Sequence, residues 1–401
     1  MARKKKNNEN NGVYTIKLEK NLPNSPISKR SSGGWVTWGR RNDWPSQMLG
    51  LYASSPTLAA CCNFFVKALV GGGIDYTAMG LDGSQLRPNY KYSWDELLRR
   101  VSLDYAILGN FALQIIKNKD GKTYSIYHQP METVRCGERD EEGDVTYYYL
   151  CSDWSKPSQN PPVKIDSLIM MEDGAWNIKS GTPYLLVPDN YNPLSDYYPL
   201  PTWSSALKAV QSEVEFCNYD NRMASNLFAP AGILSLPPAD SEEQKQAILN
   251  NIQNMFAGTD NANQLMVTFR NDSDDSNPVT FTPIAGSSDN VDLFSTSNDR
   301  NVDRILETFS IPSRSLIGLP LGNVGFSSES EILKAAYDLY MTLAGNDSRR
   351  MVIGVINDCF KANGIDVEIS IKPLLFGENT DVEAAEVEDS IINDDNIEEG
   401  V

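Results

Sequence analysis

One histidine, His128, stands among the 401 residues, so neither a histidine-based triad nor a multi-histidine metal site can be assembled from this chain. Long apolar runs are absent too. The best candidate, Leu58 to Val70, contains Asn63 and Lys67 and runs into Gly71, Gly72 and Gly73. It falls short of the ~20 apolar residues that cross a bilayer and reads as a buried helix. The six cysteines (Cys61, Cys62, Cys136, Cys151, Cys217, Cys359) show no C-x-x-C spacing and are expected to be reduced and mostly buried. The basic start MARKKKNNENN is followed by no apolar stretch, so no secretion signal is read there, and the chain is expected to stay in the cytoplasm where it is made. Basic residues are scarce overall, 35 Lys and Arg against 53 Asp and Glu for a net charge of -18. A conventional DNA-binding domain has the reverse balance, because its affinity comes from neutralising phosphates.

Enzyme motifs fail on inspection. Gly121-Lys122-Thr123 matches the end of a phosphate-binding loop, but the glycine required five residues earlier is Ile116 and the setting is a hairpin. Ser205-Ala206-Leu207-Lys208 fits S-x-x-K and Lys179-Ser180-Gly181 resembles a third motif of the same enzymes, but their order is reversed and the middle motif is missing. Asp272, Asp274 and Asp275 lack the glycine and distal glutamate of a calcium loop. His128, beside Tyr127 and Pro130, reads as a satisfied structural histidine. No cofactor, metal or catalytic residue is expected.

What is present is a chain long enough for two or more domains, with its charge unevenly spread. Residues 1–41 carry ten Lys and Arg against two acids, while residues 377–401 carry ten acids and no base. Both ends are expected to be mobile. The basic arm suits a nucleic acid or an acidic partner surface, or simply solvent. In the acidic end, Val387, Ile391, Ile392 and Ile397 have near-helical spacing, while the composition fits disorder equally well.

The N-terminal half reads as an α/β body over 42–203. Ser55 caps and Pro56 starts a helix whose Leu58, Cys61, Cys62, Phe65, Val66 and Leu69 form a broad apolar face. A second helix runs from Trp94 to about Leu108. Strands at Phe111–Lys117 and Thr123–Tyr127 flank the Asp120-Gly121 turn, and Asp144–Cys151 supplies another. Trp176 to Leu200, rich in Pro, Tyr and Asn, is expected to be a loop.

The most informative feature is the order of elements from Trp203 to Gly345. A long helix over Ser204–Phe228 carries Leu207, Val210, Val214, Cys217 and Leu227 at three- and four-residue spacing. A small α/β insert at 230–287 follows: a strand at Gly232–Leu236, a helix opened by Asp240 or Ser241 and closed by Gly258, and strands at Gln264–Phe269 and Val279–Ile284. A second long helix begins near Ser288 or Asp289 and ends at Ile311-Pro312, its stripe being Val302, Ile305, Leu306 and Phe309. At ~1.5 Å per residue each helix spans roughly 30 to 37 Å, so the pair can run antiparallel with the insert at its far end. Asp240 to Ser310 holds twelve acids and four bases. Such a surface would let a polyanion slide past without sticking, and equally it would simply solvate exposed helix faces. Glu213, Asn221, Asp292, Asp299, Arg300 and Asp303 are the polar positions singled out on the two helices.

Beyond the second helix lies IPSRSLIGLPLGNVGFSSE. Gly318, Gly322 and Gly325 with Pro320 permit a backbone that is neither helix nor strand, while Leu319, Leu321, Val324 and Phe326 are poorly suited to a solvated loop and need something to cover them. Ser327 or Ser328 with Glu331 then suggests a capping box for a helix over Glu329–Leu343 that buries Ile332, Ala335, Ala336, Leu339 and Leu343.

This order resembles the stem, clip, stem and tunnel loop of tailed-bacteriophage portal proteins of the shorter type. The matching residues are Pro230, Gly232, Ile233 and Leu234 after the first long helix, and Phe309, Ile311, Pro312 and Gly318 ahead of the Ser-rich loop. Upstream they are Trp44-Pro45, Ser55-Pro56, Asp104 to Gln114 (DYAILGNFALQ), and Tyr127 with Pro130. The likeness spans Trp44 to about Pro373. It implies an α+β, portal-like fold: a basic arm at 1–41, a wing at 42–203, stem helices at 204–229 and 288–312, a clip at 230–287, a tunnel loop at 313–328, a tunnel helix and return at 329–373, and an acidic tail or minimal crown at 374–401. It further implies a dodecameric ring of identical subunits at a capsid vertex of the virion, assembled in the host cytoplasm. Double-stranded DNA would be driven through the ring by a large terminase and later ejected, without sequence-specific contacts. Other implied partners are a head-to-tail connector and the major capsid or scaffolding protein, with no membrane. Under this resemblance Leu319, Leu321, Gly322, Asn323, Val324, Gly325 and Phe326 form the channel loop, Pro312 and Gly318 its hinge, and Asp272, Asp274 and Asp275 the clip tip facing motor and connector. Another virion assembly component, such as a connector or minor capsid protein, is the alternative, followed by a monomeric enzyme of unknown type.

Overall fold

A computed structural model describes residues 28–376, except for 84–85, 142, 169–175, 177, 226–231, 237–240, 257–264, 270–279, 284–287 and 320–325. The expectations for residues 1–27 and 377–401, for Asp272, Asp274 and Asp275, and for Leu321, Gly322, Asn323, Val324 and Gly325 lie outside the described residues. Residues 28–41, expected to belong to a mobile arm, are instead packed on the body, with Val36 and Trp38 buried and the Tyr198 hydroxyl donating to the Val36 carbonyl.

Helix and sheet are mixed throughout. Helix α1 (Trp44–Ser54) meets α2 (Pro56–Val70) at 100°, with extended Ser55 between them. Ser55 accepts a hydrogen bond from the Leu58 amide, as its position before Pro56 leads one to expect. Helix α3 (Trp94–Leu108) is opened in the same way by Ser93, which accepts from the Glu96 amide. It closes at Gly109, whose φ of 78° and backbone approach to Leu200 leave no room for a Cβ.

Strands β1 (Ala112–Lys117) and β2 (Tyr124–Gln129) form the expected hairpin, and Asp120 Oδ1 accepts from the Lys122 and Thr123 amides at 2.9 and 3.0 Å. The stretch 176–200 is not all loop, since β6 (Pro183–Leu186) pairs antiparallel with the other edge of β1. Tyr184 and Leu185 are buried there, so four residues of sheet pairing outweigh the Pro- and Asn-rich composition around them. A second sheet contains β3 (Val134–Cys136), β4 (Tyr147–Leu150) and β5 (Val163–Asp166); its outer strands were not anticipated because they are three and four residues long.

Between these sheets and the helices lies a continuous core that includes Leu58, Cys61, Leu97, Leu113, Ile115, Ile126 and Phe360. Each such side chain contributes roughly 1.5–3 kcal/mol by leaving water. Trp94 packs on Phe360 with ring centroids 4.4 Å apart, and Trp38 stacks on Tyr198 at the same distance. Among the six cysteines only Cys217 is exposed, and none forms a disulfide.

The central segment follows the order read from sequence. Helix α4 (Leu207–Ser225), preceded by a 3-10 turn at Thr202–Ala206, is followed by β7 (Gly232–Leu236), α5 (Glu242–Phe256), β8 (Leu265–Phe269), β9 (Thr280–Pro283) and α6 (Ser288–Thr308). Strand β7 runs parallel to β8 across α5 and antiparallel to β9, so the insert is a three-stranded mixed sheet with one crossover helix. The α5 start follows the sequence signal: Ser241 accepts from the Gln244 amide at 3.2 Å.

After α6 come a 3-10 turn (Arg314–Ile317), α7 (Phe326–Tyr340), one π-helical turn (Met341–Gly345) and α8 (Asn346–Ala362). Two expectations are corrected here. Helix α7 begins at Phe326, so Ser327 and Ser328 lie inside its first turn and cannot precede it as a cap. The stripe Ile332, Ala335, Leu339 and Leu343 is exposed, Ala336 is half-buried, and the face turned to the core is Tyr337, Tyr340 and Met341. The aromatic face bears the larger apolar area, and Phe64, 4.8 Å from the Tyr340 ring, receives it.

Candidate functional site

Helices α4 and α6 pack against each other, joined at one end through the β7–α5–β8–β9 insert and set at the other into the N-terminal body. At 19 and 21 residues they are roughly 28 and 31 Å long. Leu207 and Val210 of α4 and Val302, Ile305, Leu306 and Phe309 of α6 are buried where the pair enters the body. The α6 stripe read from periodicity is thus buried, but the α4 stripe is buried only at Leu207 and Val210: Val214 is half-buried and Cys217 exposed, because α4 has left the body by that point.

A carboxylate anchors the first helix. Glu213, expected on a polar helix face, is only 4% exposed. Its Oε2 accepts from the Ser55 hydroxyl, and its Oε1 accepts from the Thr57 amide at 3.3 Å and the Thr57 hydroxyl at 2.5 Å. The carboxylate therefore sits at the N-terminus of α2, where free amides and the helix dipole stabilise a negative charge. Helical spacing puts Glu213 near the polar side, but α2 and the Ser55 that caps it lie across that side and supply three donors. Burial beside Glu213 also pushes the Cys61 thiol up to about 12, desolvation being the larger cause.

The acids of α6 are likewise only partly free. Asp299, Arg300 and Asp303 are exposed, but Arg314 reaches back from the 3-10 turn to donate to Asp303 Oδ1 at 2.9 Å and Asp299 Oδ1 at 3.2 Å. A further bond of 3.1 Å goes to the Asp299 carbonyl. The Asp303 hydrogen bond leads the causes that raise the Arg314 guanidinium above its ordinary range. No periodicity could have linked residues 11 and 15 positions apart across a helix end; a lone arginine just past an acidic helix was the only signal.

The remaining positions are placed as follows. Asn221 is exposed on α4, and Asp292 lies within α6. Helix α6 ends at Thr308, Ser310 takes a φ of 57°, and the Ile311 amide returns to the Leu306 carbonyl at 3.0 Å, so the turn is complete before exposed Pro312. Gly318 has a φ of 89°, the left-handed conformation its role as a turn residue calls for, and Leu319 beyond it is exposed. Phe326 is the first residue of α7.

Arg349 was not anticipated. From α8 it donates to the carbonyls of Ala68 and Leu69 at the end of α2 and to the Tyr337 hydroxyl of α7, tying three helices together. His128 is structural in its contacts: Nε2 lies 2.8 Å from Asp104 Oδ2, which also accepts from the Met131 amide. A cleft of about 900 Å³ is lined by Arg139, Asp140, Tyr148, Asp189 and Tyr198, among others. Arg139 is engaged there by the Gly143 and Asp196 carbonyls. Among the described residues no three His, Cys, Asp or Glu side chains are grouped to hold a metal ion, and no single helix is long and apolar enough to cross a membrane.

No family model and no curated protein matches this sequence. Solved structures do. A chain in the neck of the native GTA particle, computed with C12 symmetry, aligns at a TM-score of 0.52 and 16% identity over 85% of this chain and 87% of its own. This chain shares the fold of a particle-neck component. A chain of the virion of the native gene transfer agent particle gives 0.50 and 15% over 86% and 87%, and one from the neck of the empty GTA particle with C6 symmetry gives 0.53 and 16% over 91% and 90%. At these identities the likeness is one of fold, and it agrees with the portal resemblance read from sequence.

Proposed function

We propose that this protein is the portal subunit of a phage-like particle: a ring-forming channel at a capsid vertex through which double-stranded DNA enters during packaging and leaves at ejection. The observation that carries this reading is the paired helices α4 and α6, joined through a small mixed sheet, in a chain whose fold matches neck components over most of both lengths. In this reading α4 and α6 are the stem, the insert is the clip that meets the terminase and later the connector, and residues 313–325 form the tunnel loop. The α/β body is the wing, packed against major capsid or scaffolding protein.

A ring closes through heterologous contacts, one face of each copy meeting a different face of the next. The exposed acids of α6 suit a passage that must not hold its DNA, since like charge removes sticking points. Arg314 moderates that field at the loop end of α6 by occupying Asp299 and Asp303. No reaction is assigned to the chain; ATP hydrolysis belongs to the separate motor, and the site of action is the virion.

Negative-stain microscopy of the purified full chain tests this directly. Round particles with an open axial hole and a narrow stalk are the expected images, and compact monomers at all concentrations would overturn it. A connector or minor capsid role would instead give no stable ring from this chain alone.

A further inference from the structure

We infer that the exposed row Ile332, Leu339 and Leu343 along α7 and the π-helical turn is the apolar centre of a contact with a second copy of this chain. The inference rests on the ring reading above and names one surface by which that ring closes.

The row is 42, 48 and 59% exposed at its three large residues, with exposed Ala335 between the first two. It spans residues 332 to 343, about 16 Å at ~1.5 Å per residue. Three large aliphatic side chains on one side of a helix are a poor match for water. They cannot be buried by turning α7, because its other face is held: Tyr340 packs on Phe64, Tyr337 packs on Phe376 at 5.2 Å, and Arg349 donates to the Tyr337 hydroxyl. The cover must therefore come from outside the described part of this subunit.

Two occupants compete, and charge decides between them. The chain leaves its described part at Phe376, beside this same helix, so its own acidic end could reach the row. Residues 377–401 carry ten acids and no base, however, and α7 itself carries Glu329, Glu331 and Asp338 against one lysine, Lys334. Placing that end along α7 would set like charges together. A second copy is acidic overall but offers exposed bases as well as acids, Arg300 and Arg304 among them, so it can set opposite charge against Glu331 and Asp338 where residues 377–401 cannot. The neighbours that share this fold are described with twelvefold and sixfold symmetry, and in cyclic assemblies each copy must offer one face to a different face of the next. Stable interfaces cover ~800 Å² per partner, so the row is the centre of a larger contact, and Glu331 and Asp338 stand at its rim.

The test uses the full chain. In size exclusion with light scattering and in micrographs, I332D/L339D should remain folded and lose rings, with assembly weakened at least tenfold in concentration. Wild-type rings together with intact I332D/L339D rings would overturn the surface and leave the ring reading standing; wild type without rings would overturn both. A second measurement covers misfolding of the charged variant. Cys217 is the one exposed cysteine, so C217S/L339C carries a single accessible probe. In assembled rings its maleimide labelling should be at least tenfold slower than in the folded, unassembled chain, in which Leu339 is 48% exposed. Equal rates would overturn the contact. Fast labelling restored by removing residues 377–401, with rings intact, would assign the cover to the chain's own end and overturn it as well.

Discussion

Arg314 donates to Asp303 across 2.9 Å, and with its two bonds to Asp299 this contact returns the segment after α6 to the helix that precedes it. Both partners are substantially exposed, so the pair directs the chain more than it stabilises the fold. Exposed ion pairs contribute ~0–1 kcal/mol and weaken further in salt.

Arg314→Gln should therefore leave the urea midpoint almost unchanged while raising hydrogen exchange in residues 313–319. Asp303→Asn should produce the same pattern. A loss of global stability above ~2 kcal/mol in either variant would show that the contact holds the core and not the turn.

Glu213 behaves differently because it is buried among donors. Glu213→Ala strands the Ser55 and Thr57 hydroxyls and the Thr57 amide, and should cost about 3 kcal/mol in denaturant unfolding. Glu213→Gln keeps one carbonyl acceptor and should cost roughly half of that. Equal costs for the two would mean that the negative charge carries the whole effect at this site and the retained shape and acceptor carry none.

The tunnel-loop assignment is tested by deleting Gly322 to Gly325, leaving Phe326 because it already belongs to α7. Rings of unchanged diameter that package or retain DNA poorly are expected. Failure to form rings would make the segment structural. Pro312→Ala should shift this segment in particle averages more than it alters ring size, since α6 has ended before the proline.

Alkaline pH should expose the buried thiols. Burial lifts Cys61 and Cys136 from 9.0 to about 12 in the fold. The unfolded chain releases these protons first, so their contribution is whole below pH 9 and is lost as pH rises toward 12. Each thiol should remove on the order of 1 kcal/mol per pH unit in that window. Denaturant midpoints measured from pH 8 to 10.5 should fall, and the slope should flatten in Cys61→Ala. An unchanged slope in that variant would mean that Cys61 ionises freely in the folded state.

Local signals made much of this protein legible from its sequence. Ser55 before Pro56, the Asp120-Gly121 turn and the stripe of α6 each carry their physics within a few residues, so element order and the long paired helices could be read directly. Short strands such as β3, β5 and β6 could not, because three or four residues hold too little periodicity, and β6 pairs with β1 from far along the chain. The burial of Glu213 and the exposure of Ile332, Leu339 and Leu343 were decided only in three dimensions. Periodicity identifies which residues share a face, but what covers that face depends on elements more than a hundred residues away, or on another copy of the chain.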